Sequence, residues 1–455
     1  MAATDTPPAL ASDLRRLVAT AQAEKRVPSV SAAVARSGGV IWRDAVGLAD
    51  IEEERPATPD DQYRIGSITK TFTAAAIMIL GEEGAVSLDA PLTEYLPDVQ
   101  HAPTVRRLLS HASGLQREVP GEYWETLALP SREEMLARLG EAEQVLDPAS
   151  HWHYSNLGFV LLGEIVTAVS DTPYERFVEE RLLAPLGLRR TTWTSAEPVA
   201  RPYFTEPYAD GVRREGDWPD SAFRAAGELW STTEDLCRWG SFLCDPDPAI
   251  LNPDAVDEMH RVQIMTDHET WAEGWGLGVS LTRAGDRVLG GHGGGMPGFI
   301  TRLAYMRKEK IVAVALANGY ADMDELAVAL AVKAADALPP DPDEWRPGQP
   351  PPGELAHLLG RWWSEGQETI FSWRGGKLEA RVVGARPGKE PSVFEKLEPD
   401  LYRTVSGGER GELLRVVRDE MGVPVKLYWA TYPFLRTPEV FGSAAEGRRG
   451  KAGDD

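Results

Sequence analysis

The chain has 455 residues, 42% of them hydrophobic and 26% charged, with a formal net charge of −22. That length suits two domains with a sizeable core. The acidic balance excludes a nucleic-acid backbone or an anionic membrane surface as partner, because both are recognised by clustered Lys and Arg.

The first 26 residues (MAATDTPPALASDLRRLVATAQAEKR) lack the uninterrupted apolar run of a signal peptide. No stretch is long and apolar enough to span a bilayer. The expected location is cytoplasmic. Residues 1–9 predict a loose end, and residues 10–25 a helix with Leu10, Leu14, Leu17 and Val18 on one face. PSVSAAVA and VIWRDAVGLA predict two strands joined at Ser37-Gly38-Gly39. Residues 65–260 read as mostly helical. Within them Cys237 and Cys244 lie seven apart in a predicted helix, roughly 10 Å of rise, too far for a disulfide. Strand patterns return at 278–318 in LGVSLTRA, GFITRLAYM and KIVAVALAN, and 324–338 closes with an apolar-faced helix. Strands at both ends with helices between them predict an α+β domain over 1–338. Its antiparallel sheet is assembled from the two ends, and a helical subdomain is inserted.

Residues 339–352 form a proline-rich linker. TIFSWRGGKLEARVV predicts a hairpin turning at Gly375-Gly376, and SVFEKLEPDLYRTV, ELLRVVRDE and VPVKLYWATY add strands. Residues 353–440 therefore predict a small all-β, barrel-like domain. Residues 441–455 predict a disordered tail.

Three segments carry chemistry. In YRIGSITKTFTAAAIMIL, Gly66 stops the chain before a helix, and Ser67 and Lys70 are one helical turn apart. A serine needs a base, and a lysine becomes one when burial and a helix N-terminus lower its pKa. Read alone, the pair fits equally a helix cap and a solvated lysine. In HWHYSNLGFVLLGEIV, Tyr154 can serve as base or proton shuttle, and Asn156 can hold a lysine with its oxygen and a substrate with its nitrogen. Read alone, they fit a half-buried aromatic and a cap. In GGHGGGMPGFITRLAYM, His292 stands in a glycine-dense run before a strand, where substrate backbone could approach closely.

Taken in order, Ser67-Ile68-Thr69-Lys70, Tyr154-Ser155-Asn156 and His292-Gly293-Gly294, with flanks LLSHASGL, GELWSTTEDLCRWGSFL and GHGGGMPGF, resemble the serine β-lactamase and penicillin-binding-protein superfamily. The style is that of the Tyr-x-Asn branch of AmpC-like lactamases, D-aminopeptidases and carboxylesterases, and the resemblance covers about residues 10–338. It implies a β-lactamase/transpeptidase-like fold, with the appended β domain lipocalin-like. It also implies that Ser67 forms an acyl-enzyme and that Lys70 and Tyr154 share the base role. Asn156 and the His292–Gly294 segment would order substrate, and the N–H groups of Ser67 and Gly295 would hold the oxyanion. His292 stands where such enzymes usually carry lysine, which puts efficient β-lactam hydrolysis in doubt.

Other residues are weighed against this set. His151-x-His153 lacks a third ligand at zinc-like spacing, so no metal or cofactor is expected. Ser231 and Glu234 predict a capping box. Trp218, Trp230, Trp271 and Trp275 fit a cleft lining or a core. Arg436, in YPFLRTPE, could bind a substrate carboxylate if the β domain leans over the cleft. The expected function is a serine hydrolase of esters or amides of small-molecule or peptide substrates. The alternatives are a penicillin-binding-protein-type thioesterase, which cyclises nonribosomal peptides from a thioester or carrier-protein-linked substrate, and an inactive binding protein on the same scaffold.

Overall fold

The computed structural model describes residues 6–438 except 126, 217, 220, 340–344 and 387. The predicted tail, 441–455, and part of the predicted linker lie outside the described residues. The chain divides into two compact units, with the division after Pro340.

In the first unit, β1 (Ser29–Arg36) and β2 (Gly39–Asp50) come from the N-terminal end, and β3 (Ser280–Ala284), β4 (Arg287–Met296), β5 (Phe299–Met306) and β6 (Ile311–Ala317) from the far end. Among the described residues, nine strands form one antiparallel sheet. The order runs from Arg55–Pro56 through β2, β1, β6, β5, β4 and β3 to Glu273–Trp275 and Ile264–Met265. Strand periodicity sorts β1 between two cores. Val30, Ala32 and Val34 pack with α1 (Pro8–Glu24) and the C-terminal helix Asp324–Ala337. Ala33 and Ala35 join the opposite core with Phe72, Leu236 and Trp239. The helical subdomain supplies α2 (Thr69–Glu82), α3 (Asn156–Ser170) and α4 (Thr233–Cys244). The buried Cys237 and Cys244 both lie on α4 as free thiols.

Two local expectations are corrected. The glycine run before the predicted strand GFITRLAYM is itself a strand. His292 pairs with Leu303, Gly294 with Thr301, and Gly291 with Ser280, so β4 has a ladder on both edges. The β3 ladder ends at Gly291, and from His292 to Met296 the pairing with β5 alone holds the glycines extended against their weak strand propensity. The cap of α4 also falls one residue later than Ser231. Thr232 accepts the Asp235 N–H at 3.3 Å. Ser231 is held extended by its pairing with Tyr63 and bonds Thr191 instead, so the chain turns into the helix only after it.

His260 shows how burial couples this fold to pH. Its Nδ1–H donates to the Val256 carbonyl at 2.7 Å, and Nε2 accepts from the Tyr305 hydroxyl at 2.9 Å. Burial pushes its pKa down to about 4. Between pH 6.5 and about 4 the unfolded chain therefore binds a proton that the folded chain refuses, and stability is lost as pH falls. His260→Gln is expected to lessen that loss by up to about 1.4 kcal/mol per pH unit. The raised carboxyls of Glu228 and Asp235 act in the opposite sense but equally in both proteins. Denaturant titrations at pH 6.5, 5.5 and 4.5 check this, and parallel curves would refute it.

The second unit is all-β. Eight strands are described in it: β7 (Gly360–Ser364), β8 (Gln367–Arg374), β9 (Lys377–Val382), β10 (Ser392–Glu398), β11 (Leu401–Ser406), β12 (Leu413–Arg418), β13 (Pro424–Trp429) and β14 (Tyr432–Phe434). They pair antiparallel in sequence order. Reciprocal backbone bonds between Trp363 and Leu435, 2.8 and 2.9 Å, close the sheet into a barrel. Arg436 follows that closure. Its guanidinium lies 3.7 Å from the Trp362 ring centroid and donates to the carbonyls of His357, Leu359 and Arg361. Its observed contacts clamp the unit's own backbone, and the carboxylate role expected of it gains nothing from them.

Candidate active site

Ser67 sits in the single 3-10 turn Gly66–Ile68 that leads into α2. Gly66 adopts φ +52, a left-handed conformation that glycine enters without strain. The residue also has to be small, because a Cβ there would lie 2.6 Å from the Gly295 nitrogen. Sheet and helix start are thus in direct backbone contact beside Ser67.

Lys70, one turn further on, is fully buried. Its Nζ lies 2.9 Å from Ser67 Oγ, 2.7 Å from Asn156 Oδ1 and 2.6 Å from the Ala226 carbonyl oxygen. Burial drives its pKa well below the ordinary lysine value, the Arg117 cation pushes in the same direction, and Glu118 opposes it. A neutral amine has two hydrogens and one lone pair. Two of its three neighbours, the amide and backbone carbonyl oxygens, can only accept. The hydrogens are therefore taken by Asn156 and Ala226, and the lone pair faces the serine hydroxyl. That is the arrangement a base needs before it removes a proton.

Tyr154 and Asn156 flank the cap of α3, where Ser155 Oγ accepts the Gly158 N–H at 3.0 Å. Lys70 Nζ lies 5.0 Å from the Tyr154 ring centroid, and the Tyr154 side chain shares the cleft with Ser67. Burial raises the Tyr154 pKa, while the neighbouring Ser67 side chain and the charge of Arg117 oppose the rise. His292 on β4 donates from Nδ1 to the Gly293 carbonyl at 2.5 Å, so Nε2 is the unprotonated nitrogen. Burial, reinforced by Lys70, lowers its pKa to about 3. The position therefore carries no positive charge near neutral pH.

These residues share one cleft of about 570 Å³, lined by Ser67, Tyr154, Asn156, His292 and Gly295 together with Trp275. Gly294 lies under the floor, with its α-carbon packed against Ile65. Of the other tryptophans considered, Trp271 is exposed, and Trp230 packs edge-on against Phe299. Among the described residues no cluster of metal-ligating side chains occurs.

Three contributors were not singled out from the sequence. Both Glu118 carboxylate oxygens accept from Asn156 Nδ2, at 2.8 and 3.0 Å, which turns the amide oxygen toward Lys70. Arg117 places its guanidinium 5.0 Å from the Tyr154 ring centroid, with Nε 3.4 Å from Glu118. His111 stacks on Tyr154 at 4.2 Å and accepts the Ser155 N–H at Nδ1. All three lie in or just after LLSHASGL, a segment that carried only resemblance.

The family model described as Beta-lactamase matches residues 14–337, and a domain of unknown function, DUF7586, matches residues 351–436. Esterase EstB of Burkholderia gladioli is 30% identical over 313 residues, covering 59% of this chain and 79% of that protein. β-Lactamase-like protein 2 of Dictyostelium discoideum is 28% identical over 63% of this chain, which spans only 55% of that protein's length. The solved D-amino acid amidase of Ochrobactrum anthropi SV3 superposes with a TM-score of 0.63 at 27% identity, covering 72% of this chain and 98% of that one.

Proposed function

The chain belongs to the β-lactamase family, whose relatives here include an esterase and an amidase, and from that premise we propose that it hydrolyses esters or amides of peptide-like substrates, including D-aminoacyl ones, through an acyl-enzyme on Ser67. The observation that carries this reading is the three-point hold on Lys70, which leaves its lone pair 2.9 Å from the serine oxygen. Ser67 Oγ attacks the substrate carbonyl as its proton passes to Lys70 Nζ. The carbonyl oxygen, gaining negative charge, is received by the N–H groups of Ser67 and Gly295. The proton leaves through Tyr154 to the departing oxygen or nitrogen. Water then attacks the ester, the same groups work in reverse, and the acid is released. With His292 uncharged, the site lacks the lysine that would grip a β-lactam carboxylate, so neutral acyl substrates fit it better.

Arg117 belongs to this machinery by electrostatics. A cation over the Tyr154 ring stabilises both neutral Lys70 and an ionised Tyr154. In the wild type, kcat/KM is expected to rise with pH through the depressed Lys70 pKa and then level off. In Arg117→Gln that limb should move about half to one pH unit higher, and Arg117→Lys should restore part of the shift. A change in KM with an unmoved limb would remove Arg117 from this role.

The central test combines labelling with turnover. Intact-mass spectrometry after a fluorophosphonate is expected to show one adduct on the wild type and none on Ser67→Ala. The variant should hydrolyse p-nitrophenyl esters and D-aminoacyl anilides about a thousandfold more slowly or worse. An unlabelled wild type would favour an inactive binding scaffold. Clean macrocycle from a linear peptidyl thioester would favour the cyclase.

A further inference from the structure

We propose that the barrel of the second unit is a binding site for a small, uncharged, amphipathic organic molecule. An eight-stranded barrel has an interior just wide enough either to be filled by side chains or to hold one such molecule. This barrel does both. Part of its interior is packed by Leu358, Trp362, Phe371, Leu378 and Phe394, all buried. Beside them, the buried positions of four successive strands are small: Thr369 on β8, Ala380 on β9, Ser392 on β10 and Thr404 on β11. Each stands two residues from a bulky partner on its own strand, respectively Phe371, Leu378, Phe394 and Tyr402.

The result is a cavity of about 510 Å³ lined by Thr369, Ala380 and Ser392, with Trp429 and Phe434 as its aromatic wall. Protein interiors are otherwise close-packed, and a volume of this size is typical of ligand sites. Trp429 is fixed, because its Nε1–H donates to Thr404 Oγ1 at 2.9 Å. A ring stacked on it would therefore meet a preformed surface. The Ser364 hydroxyl, also at the lining, is buried with no hydrogen-bond partner among the described residues. The described charges around the mouth balance, with Arg381, Arg386 and Lys389 against Glu365, Glu390 and Glu409. In a chain of net charge −22 that neutral rim offers an anion no hold. Hydroxyls and aromatic faces remain as the recognition elements, which is the chemistry of an uncharged ring bearing polar groups.

The test titrates the full chain with N-phenyl-1-naphthylamine, an uncharged fluorescent amine, and in parallel with its anionic analogue 1-anilinonaphthalene-8-sulfonate. Saturable one-to-one binding of the amine is expected, at least tenfold tighter than the sulfonate. Ala380→Phe and Ser392→Leu fill the space from two adjacent strands, and each folded variant should weaken amine binding tenfold or more. Ser67→Ala should bind as the wild type does, which separates this site from the nucleophile's cleft. Unsaturable binding, equal or tighter binding of the sulfonate, or undiminished affinity in a filled variant that melts like the wild type would overturn the proposal.

Discussion

Lys70→Ala is expected to lower kcat/KM by at least about a thousandfold, with Lys70→Arg no better than alanine. Nζ is the group whose lone pair is aimed at Ser67 Oγ, and its two hydrogens are held by Asn156 Oδ1 and the Ala226 carbonyl. Alanine removes the base. Arginine keeps length and donors but cannot shed its proton in the accessible pH range, so it separates the need for a base from the need for a cation. Burial is what makes the native lysine usable, since at its ordinary pKa it would hold its proton and leave the serine inert. Esterase assays on titrated enzyme, with circular dichroism to confirm the fold, decide the matter. A folded Lys70→Arg protein retaining a tenth of the wild-type rate would move the base elsewhere, to Tyr154.

How much of this was legible beforehand depends on the range of the contact. Ser67 and Lys70 are one helical turn apart, so their meeting could be read from spacing. So could the sorting of β1 between two cores, because alternation is local. The meeting of Lys70 with Asn156 could be expected only through resemblance, since 86 residues separate them. Glu118 and Arg117 escaped notice because nothing in HASGLQRE marks them: a carboxylate that orients an amide and a guanidinium over a ring acquire those tasks only when α3 docks. Arg436 in YPFLRTPE suggests a carboxylate-binding role from sequence, and its contacts within the barrel are not legible there: the turn after β14 brings it back over Trp362 and three carbonyls of its own barrel.

The glycine run of β4 suggests from sequence a place where substrate backbone approaches closely, and its tight packing gives the other large effect. Gly294→Ala is expected to cost about 1–3 kcal/mol of stability and about a hundredfold in kcat. Gly293→Ala, one residue earlier, should cost little of either. A Cβ on Gly294 would stand 1.9 Å from the Ile65 carbonyl oxygen and 2.3 Å from Thr301 Oγ1. Neither can yield, because Ile65 is the backbone immediately before the Gly66–Ile68 turn, and Thr301 Oγ1 already donates to Ile65 O at 3.0 Å. Relief requires β4 to move away from the turn that carries Ser67, and that parts the Gly295 N–H from the serine it serves. On Gly293 the nearest atoms, at 3.6 Å, are the tips of Arg302 and Asp324, and the added methyl fits. Melting curves and kcat for both variants distinguish register from composition. Equal effects at the two positions would mean that glycine content alone matters, whereas a loss confined to Gly294 would locate the constraint in the contact between β4 and the nucleophile's turn.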